Sequence, residues 1–377
     1  MRTAGHEVAH IINIVHSQLP SIIRNAWKRR TLYALLRCRT AALGGHIDRC
    51  DNPKCGKLHI SYNSCRNRHC PKCQGHLRER WIAKREADLV NTPYFHVVFT
   101  LPSKLNELAL EQPRLIYNLL FASAWSVIRD FGAKPRMLGA RMGMIAVLHT
   151  WGQNLSLHPH LHCIVPAGGM TPHGKWKTSR SKGRFLFPVK SMGSVFRARF
   201  VEKLRKQVDL PPLLADKLFE KPWVVYAKRP FFGPRQVIEY LGRYTHKIAI
   251  SNSRILSVAH NQVTFRAKDY RKAGKSVALR LTASEFVRRF ALHILPKGFT
   301  RIRHFGVLNG RIKRECKKAA DRQLGIVSTS SQSKPILHRR CPVCNTGVLQ
   351  TIWVFFPGDP RGPPDIGLLN SLGLEKN

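Results

Sequence analysis

The chain has 377 residues, with 64 Lys and Arg against 21 Asp and Glu, a formal net charge of +43. An excess of this size needs a polyanionic partner, and nucleic acid is the natural one, with binding that weakens steeply as salt rises. At 43% hydrophobic residues the sequence can build a core in two or three domains, but no run reaches the roughly 18 apolar residues of a spanning helix, which argues against a membrane protein.

The segment from Met1 to His10 carries Glu7 and two histidines and has no apolar stretch of the kind a signal peptide needs. A bacterial, cytoplasmic location is expected, on the nucleoid when DNA is bound. There the ten cysteines stay reduced and clusters of them read as metal ligands before disulfides. Residues from about 5 to 45 read as helical, with Ile11, Ile12, Val15, Leu19, Ile22 and Ile23 as apolar positions and a basic stretch from Arg24 to Arg39. Gly44 and Gly45 end this region. Cys50 with Cys55, and Cys70 with Cys73 in a Cys-Pro-Lys-Cys knuckle, then form two close thiol pairs across a loop. That pattern suits a tetrahedral structural zinc held by Cys50, Cys55, Cys70 and Cys73, with Cys65, His59 and His69 as competing ligands. Arg66, Arg68, Lys72, Arg78 and Arg80 coat the cluster and suit DNA phosphates. Leu77 to Leu89 is a charged helical stretch that reads as a joint between domains.

Tyr94 to Leu101, closed by Pro102, reads as a buried strand, and Ile116 to Phe131 as an apolar helix. Met144 to His149 and His160 to Val165 are two further strands, and Gly152 to Ser156 between them predicts an antiparallel hairpin. A strand has a side-chain period of two, so His160 and His162 share a face. The hairpin brings His149 beside them. Three imidazoles on a sheet face can hold one divalent ion with positions left open for substrate oxygens, where it would polarise a phosphate. His158 precedes Pro159 at the turn and ranks lower.

Trp223 to Tyr226 reads as a short strand. Gly233-Pro234 breaks the chain before a helix carrying Tyr240 and Tyr244, which an i, i+4 spacing places on one face. A phenol with a pKa of about 10 must lose its proton to attack phosphorus, and Arg243 and Lys247 stand close enough in sequence to help. Gln262 to Ala267 and Ser276 to Leu281 alternate as a hairpin whose basic tip, with Arg271 and Lys272, suits a DNA backbone. Thr282-Ala283-Ser284-Glu285 resembles a capping box that opens a helix. Beyond Arg311 come a basic stretch, a Ser/Thr-rich stretch, a second knuckle at Cys341 and Cys344, and a Pro/Gly-rich tail expected to be disordered. The second knuckle lacks an obvious partner pair; His338 and Cys316 are the candidates to complete it. Cys38 and Cys163 read as core thiols.

The segments CRTAALGGHIDRC, YNSCRNRHCPKCQ, FHVVFTLP, LHTWGQNLSLHPHLHCIVPAGG, YLGRYTHKIAISN and EFVRRFALHILPKGFTRIRHFG together resemble the two-tyrosine, rolling-circle insertion-sequence transposases of the HUH nuclease superfamily, with their N-terminal zinc-binding domain. The resemblance runs from about Cys38 to Gly306. It implies an α+β fold: a central antiparallel sheet with flanking helices and the HUH strand in the middle, preceded by a small helical zinc-binding domain. It implies that His160 and His162 are metal ligands for Mg²⁺ or Mn²⁺, and that Tyr240 and Tyr244 are the nucleophiles. The spacing of His149 is similar to that of the third histidine in conjugative relaxases. The implied substrate is single-stranded DNA at element ends and target, cut through a 5′-phosphotyrosine.

The expected organisation is a helical and zinc-binding DNA-recognition domain over residues 1–88, a nuclease domain over 89–310 and a basic C-terminal region over 311–377. Two rivals stand beside this reading. One is a zinc-containing nucleic-acid-binding protein without catalysis. The other is a carboxylate-triad transposase, for which Asp130, Glu202, Asp209 and Glu239 show no cluster.

Overall fold

A computed structural model describes residues 5–73, 89–179, 186–231, 236, 248–269, 274–310, 312–324 and 339–358. The chain divides into two compact units: Met1–Gln74 with Ser331–Asn377, and Gly75–Ser330. The region expected to stand alone from residue 311 is thus divided. The helix Lys313–Gln323 lies in the second unit, while the second knuckle and the strand after it lie with the N-terminal unit.

The first unit begins with helices α1 (Val8–Ile14), α2 (Leu19–Ile22) and α3 (Ala26–Leu36). Asn25 opens α3 by accepting a hydrogen bond from the Lys28 N–H, so an otherwise orphaned helix donor is satisfied. Strands β1 (Gly45–Cys50) and β2 (Leu58–Tyr62) follow, and the C-terminal strand Leu349–Phe355 pairs antiparallel with β1 on its other side. Asp48 lies at the centre of this small sheet with its side chain fully buried. It accepts from the Thr351 hydroxyl at 2.7 Å and the Ser61 hydroxyl at 3.3 Å, and pairs with Arg339 at 2.8 Å. A buried carboxylate is tolerable only when hydrogen-bonded in this way.

The second unit is built on a five-stranded antiparallel sheet in the order β12-β4-β5-β3-β8. Its strands are β3 (Tyr94–Thr100), β4 (Gly143–Trp151), β5 (Leu157–Pro166), β8 (Val225–Phe231) and β12 (Ile302–Gly306). β5 is central, as the resemblance implies. Alternation assigns the two faces. Leu161, Cys163 and Val165 of β5 join Ala146 and Leu148 of β4 in the main core, against helices α5 (Pro113–Ala133) and α6 (Val189–Arg205). The opposite face carries Ile145, Val147 and Ile164 in a smaller apolar cluster, and the histidines continue that face toward the β4–β5 turn. Cys163 is a fully buried core thiol, as expected.

Among the remaining elements are α4 (Asn106–Glu111), the short hairpin β6 (Gly168–Met170) and β7 (Trp176–Thr178), and α7 (Pro212–Phe219). A second sheet joins β9 (Ile255–Ala259), β10 (Gln262–Asp269) and β11 (Lys275–Thr282), so the expected hairpin is present. His260 (φ 47°) and Asn261 (φ 58°) make the β9–β10 connection, the left-handed pair that a two-residue hairpin turn demands. Thr282 caps α8 (Ala283–Leu292) by accepting from the Glu285 N–H at 3.2 Å, as the capping-box pattern predicts. Helix α9 (Lys313–Gln323) follows β12. Among the described residues, no helix is long and apolar enough to cross a membrane.

Candidate metal centre and its cleft

His149 on β4 lies directly opposite His160 on β5, and His162 lies between Val147 on β4 and Val98 on β3. The ligand nitrogens of His149, His160 and His162 all fall within 4.8 Å of one another. The hydrogen bonds decide which nitrogens can face an ion. The Nδ1–H of His160 donates to the His158 carbonyl at 2.7 Å, which leaves Nε2 with its lone pair exposed. Nδ1 of His162 is 2.8 Å from Nε2 of His96, whose ring stacks on it at 5.1 Å between centroids and 11° between planes. That contact occupies Nδ1 of His162. The His158 carbonyl fixes the His160 ring with its proton on Nδ1, and His96 holds the His162 ring in place through its Nδ1.

The donor set fits a divalent ion. Three neutral imidazoles bring no charge, so a bound ion keeps its full positive charge toward an anionic substrate. His149 is 2% exposed and His162 9%, so the ion would meet substrate from one side. His149 also stacks on Trp151 at 4.4 Å, and Arg301 lies over the other ring of that pair at 5.3 Å while donating to the Leu148 carbonyl. His158 is exposed at the rim of the same cleft.

The hairpin turn is held in a strained shape. Leu155 sits at φ 62°, a left-handed backbone costing about 1–2 kcal/mol for a non-glycine residue. Its side chain is fully buried, and the turn carbonyls are captured by three side chains: Arg254 at Gln153 (2.6 Å), Arg289 at Asn154 (3.2 Å) and His293 at Leu155 (3.1 Å). These contacts fix the end of the sheet on which the histidines stand. The cleft over them has a volume of about 620 Å³. Its wall includes Arg254, just before β9, and Arg266 and Lys268, which are exposed on one face of β10. A neutral ligand set under a basic wall suits a phosphodiester backbone.

Tyr240, Arg243, Tyr244 and Lys247 lie outside the described residues, as do Arg271, Lys272 and His338. Arg66 is exposed and Arg68 half-buried beside the first cysteine group.

The cysteines are partitioned differently from the expectation. Cys70 and Cys73 do not share a site with Cys50 and Cys55. They join Cys38 and Cys65, with all four thiols within 4.8 Å of one another. Cys38–Cys73 is 3.6 Å and Cys65–Cys73 3.7 Å between sulfurs. Cys38, expected to be a core thiol, is therefore a ligand candidate, brought in because α3 ends just before it and the chain turns back through Arg39 at φ 58°. Hydrogen bonds from Cys65 and Cys70 lower the Cys38 thiol, while the same cluster raises Cys65 and Cys70. Cys50 and Cys55 lie instead with Cys341 and Cys344. Cys316 packs by the smaller apolar cluster of the second unit and does not complete the knuckle. His96 is the other residue that sequence reasoning missed. Its signal was period two on the strand beside β5, legible only once β3 and β5 are known to be neighbours.

Comparison with known proteins agrees with this geometry. Residues 143–316 match the family model described as "Putative transposase", and residues 14–101 match the model described as "Transposase zinc-binding domain". The chain is 43% identical to "Putative transposase y4qJ" of Sinorhizobium fredii, over 97% of this chain and 98% of that one. It is 30% identical to "Transposase for insertion sequence element IS801" of Pseudomonas savastanoi pv. phaseolicola, over 75% of this chain and 70% of that one. No solved structure matches. The chain belongs to the IS91/IS801-type family of insertion-sequence transposases, which act on DNA and carry a zinc-binding domain ahead of the transposase domain.

Proposed function

We propose that this transposase is a metal-dependent HUH tyrosine endonuclease and strand transferase. It nicks and rejoins single-stranded DNA at its element's ends through a 5′-phosphotyrosine, in rolling-circle-type transposition. One observation carries the reading: His149, His160 and His162 gather on adjacent central strands, with two of the rings held by hydrogen bonds through Nδ1, under a basic cleft wall. Mg²⁺ or Mn²⁺ bound by these three imidazoles would supply Lewis-acid polarisation of the scissile phosphate.

The chain's own residues do the rest. The phenol oxygen of Tyr240 or Tyr244 gives up its proton to solvent and attacks phosphorus. A Tyr–O–P bond forms, the P–O3′ bond breaks, and the departing 3′ oxygen takes up a proton. Arg243 and Lys247 stabilise the phenolate, and the second tyrosine serves the second cut or the transfer. Attack of a 3′ hydroxyl on the phosphotyrosine restores the phosphodiester and frees the tyrosine. Arg66 and Arg68, with Arg271 and Lys272, hold DNA backbone. The protein works in the bacterial cytoplasm, on the nucleoid when DNA is bound.

The test incubates the full chain with single-stranded end DNA and Mg²⁺ or Mn²⁺ and resolves the products on a denaturing gel. A covalent protein–DNA band is expected, lost in the Tyr240→Phe, Tyr244→Phe double variant and in His160→Ala. Binding by gel shift with no such band would favour the non-catalytic reading. Cleavage with no covalent band would favour the carboxylate mechanism.

A further inference from the structure

We propose that Cys50, Cys55, Cys341 and Cys344 hold a second structural zinc, which clasps the C-terminal segment to the N-terminal sheet and makes it part of the zinc-binding unit. The match to the zinc-binding domain ends at residue 101, so Cys341 and Cys344 fall outside it. The four thiols lie within 4.8 Å of one another, with Cys50–Cys344 at 3.7 Å and Cys55–Cys341 at 3.8 Å. With Zn–S bonds of about 2.3 Å, the edge of a tetrahedron of thiolates is about 3.8 Å. The spacing is that of four ligands around one ion, and the first group, at 3.6 and 3.7 Å, has the same spacing.

The surroundings are built for thiolates. The Gly347 N–H reaches Cys344 Sγ at 3.3 Å, and His59 Nε2 lies 3.5 Å from Cys341 Sγ. Asn345 adopts φ 56° and donates its N–H to the Cys341 carbonyl at 2.9 Å, which curls the knuckle around the site. A Cβ added at Gly347 would run into Cys50 Sγ, so only glycine lets the two segments close. Around the ligands, Asp51 N–H donates to the Val348 carbonyl at 3.0 Å, Asp51 Oδ1 accepts from the Val348 N–H at 2.7 Å, and Asn52 reaches Thr346 at 3.0 Å. Among the described residues, the apolar cluster of this sheet is small, with Ile47 and Phe355 buried and Leu58, Ile60 and Tyr62 packed partly buried against them. A small unit of this kind needs a metal staple.

The test is the metal content of the full chain purified in reductant. Two zinc per chain are expected in the wild type, and one in the Cys341→Ser, Cys344→Ser double variant. In that variant, limited trypsin should also release a C-terminal fragment that stays protected in the wild type. One zinc in the wild type, or two in the double variant, would overturn the proposal, as would intact Cys50–Cys344 or Cys55–Cys341 disulfides by peptide mass. Should the double variant not fold, Cys344→His keeps four ligands. Its cobalt-substituted spectrum should show one site changed from four sulfurs to three sulfurs and a nitrogen, and a spectrum identical to wild type would also refute the clasp. This inference does not rest on the histidine site, so its failure would leave the cleavage reading untouched.

Discussion

His96 offers a sharp probe of the histidine site because it touches a proposed ligand without being one. It is 3% exposed and sits 2.8 Å from His162 Nδ1. His96→Phe keeps the stacked ring but removes the nitrogen that bonds His162. The hydrogen bond at His162 Nδ1 is then lost in a buried site, and the ring is held less firmly in its place beside the other two. Losing such an outer hydrogen-bond partner lowers metal affinity about 10- to 100-fold, which is about 1.4–2.8 kcal/mol at 1.4 kcal/mol per tenfold. Mn²⁺ titration of the full chain followed by electron paramagnetic resonance reads this directly. The affinity should fall within that range in His96→Phe and be abolished in His162→Ala. Unchanged affinity in His96→Phe alongside loss in His162→Ala would show that His96 does not position the ligand. Loss in neither would remove the ion from these residues.

Three other expectations follow from the fold and charge. Gly306 closes β12 at φ 56°, and a Cβ there would collide with the Met142 carbonyl and reach 2.7 Å from the Trp125 ring. Gly306→Ala should lower the melting temperature, with about 1–2 kcal/mol from the left-handed backbone alone before the clash is counted, and an unchanged melt would contradict the turn geometry. Hydrogen bonds from Arg288, then Arg289, hold the Glu285 carboxyl at about 2. A depressed carboxylate stabilises fully above its unfolded value of about 4.3 and loses that contribution as pH falls toward 2. Melts of Glu285→Gln should therefore lie below wild type at neutral pH, by under about 1 kcal/mol for so exposed a network, and converge with it in acid; a gap that widens in acid would reverse the sign. Finally, the net charge of +43 predicts that single-stranded DNA affinity falls linearly on a log–log plot against salt, and a flat plot would exclude phosphate-dominated binding.

The parts of this fold legible in the sequence are those set by local pattern. The β4–β5 hairpin followed from two β-branched runs around Gly152 to Ser156, and with it the meeting of His149 and His160. The β10–β11 hairpin and the Thr282 cap were equally local. What could not be read depends on long closures. The partition of thiols was hidden because proximity in sequence favours Cys50 with Cys70, whereas the sheet brings Cys344 to Cys50 across 294 positions. Cys38 looked like a core thiol because it falls inside the stretch read as helical, with no neighbouring cysteine. His96 could not be placed beside His162 before the strand order was known, since β3 and β5 are separated by the whole of α5 and β4.

Mapping the covalent link tests the central claim most directly. The full chain, reacted with single-stranded end DNA and Mn²⁺, is digested with nuclease and protease, and the modified peptide is sequenced by mass spectrometry. The account predicts a nucleotide joined through its 5′ phosphate to Tyr240 or Tyr244, with a free 3′ hydroxyl on the other DNA fragment. Attachment to any other residue, or through a 3′ phosphate, would contradict it.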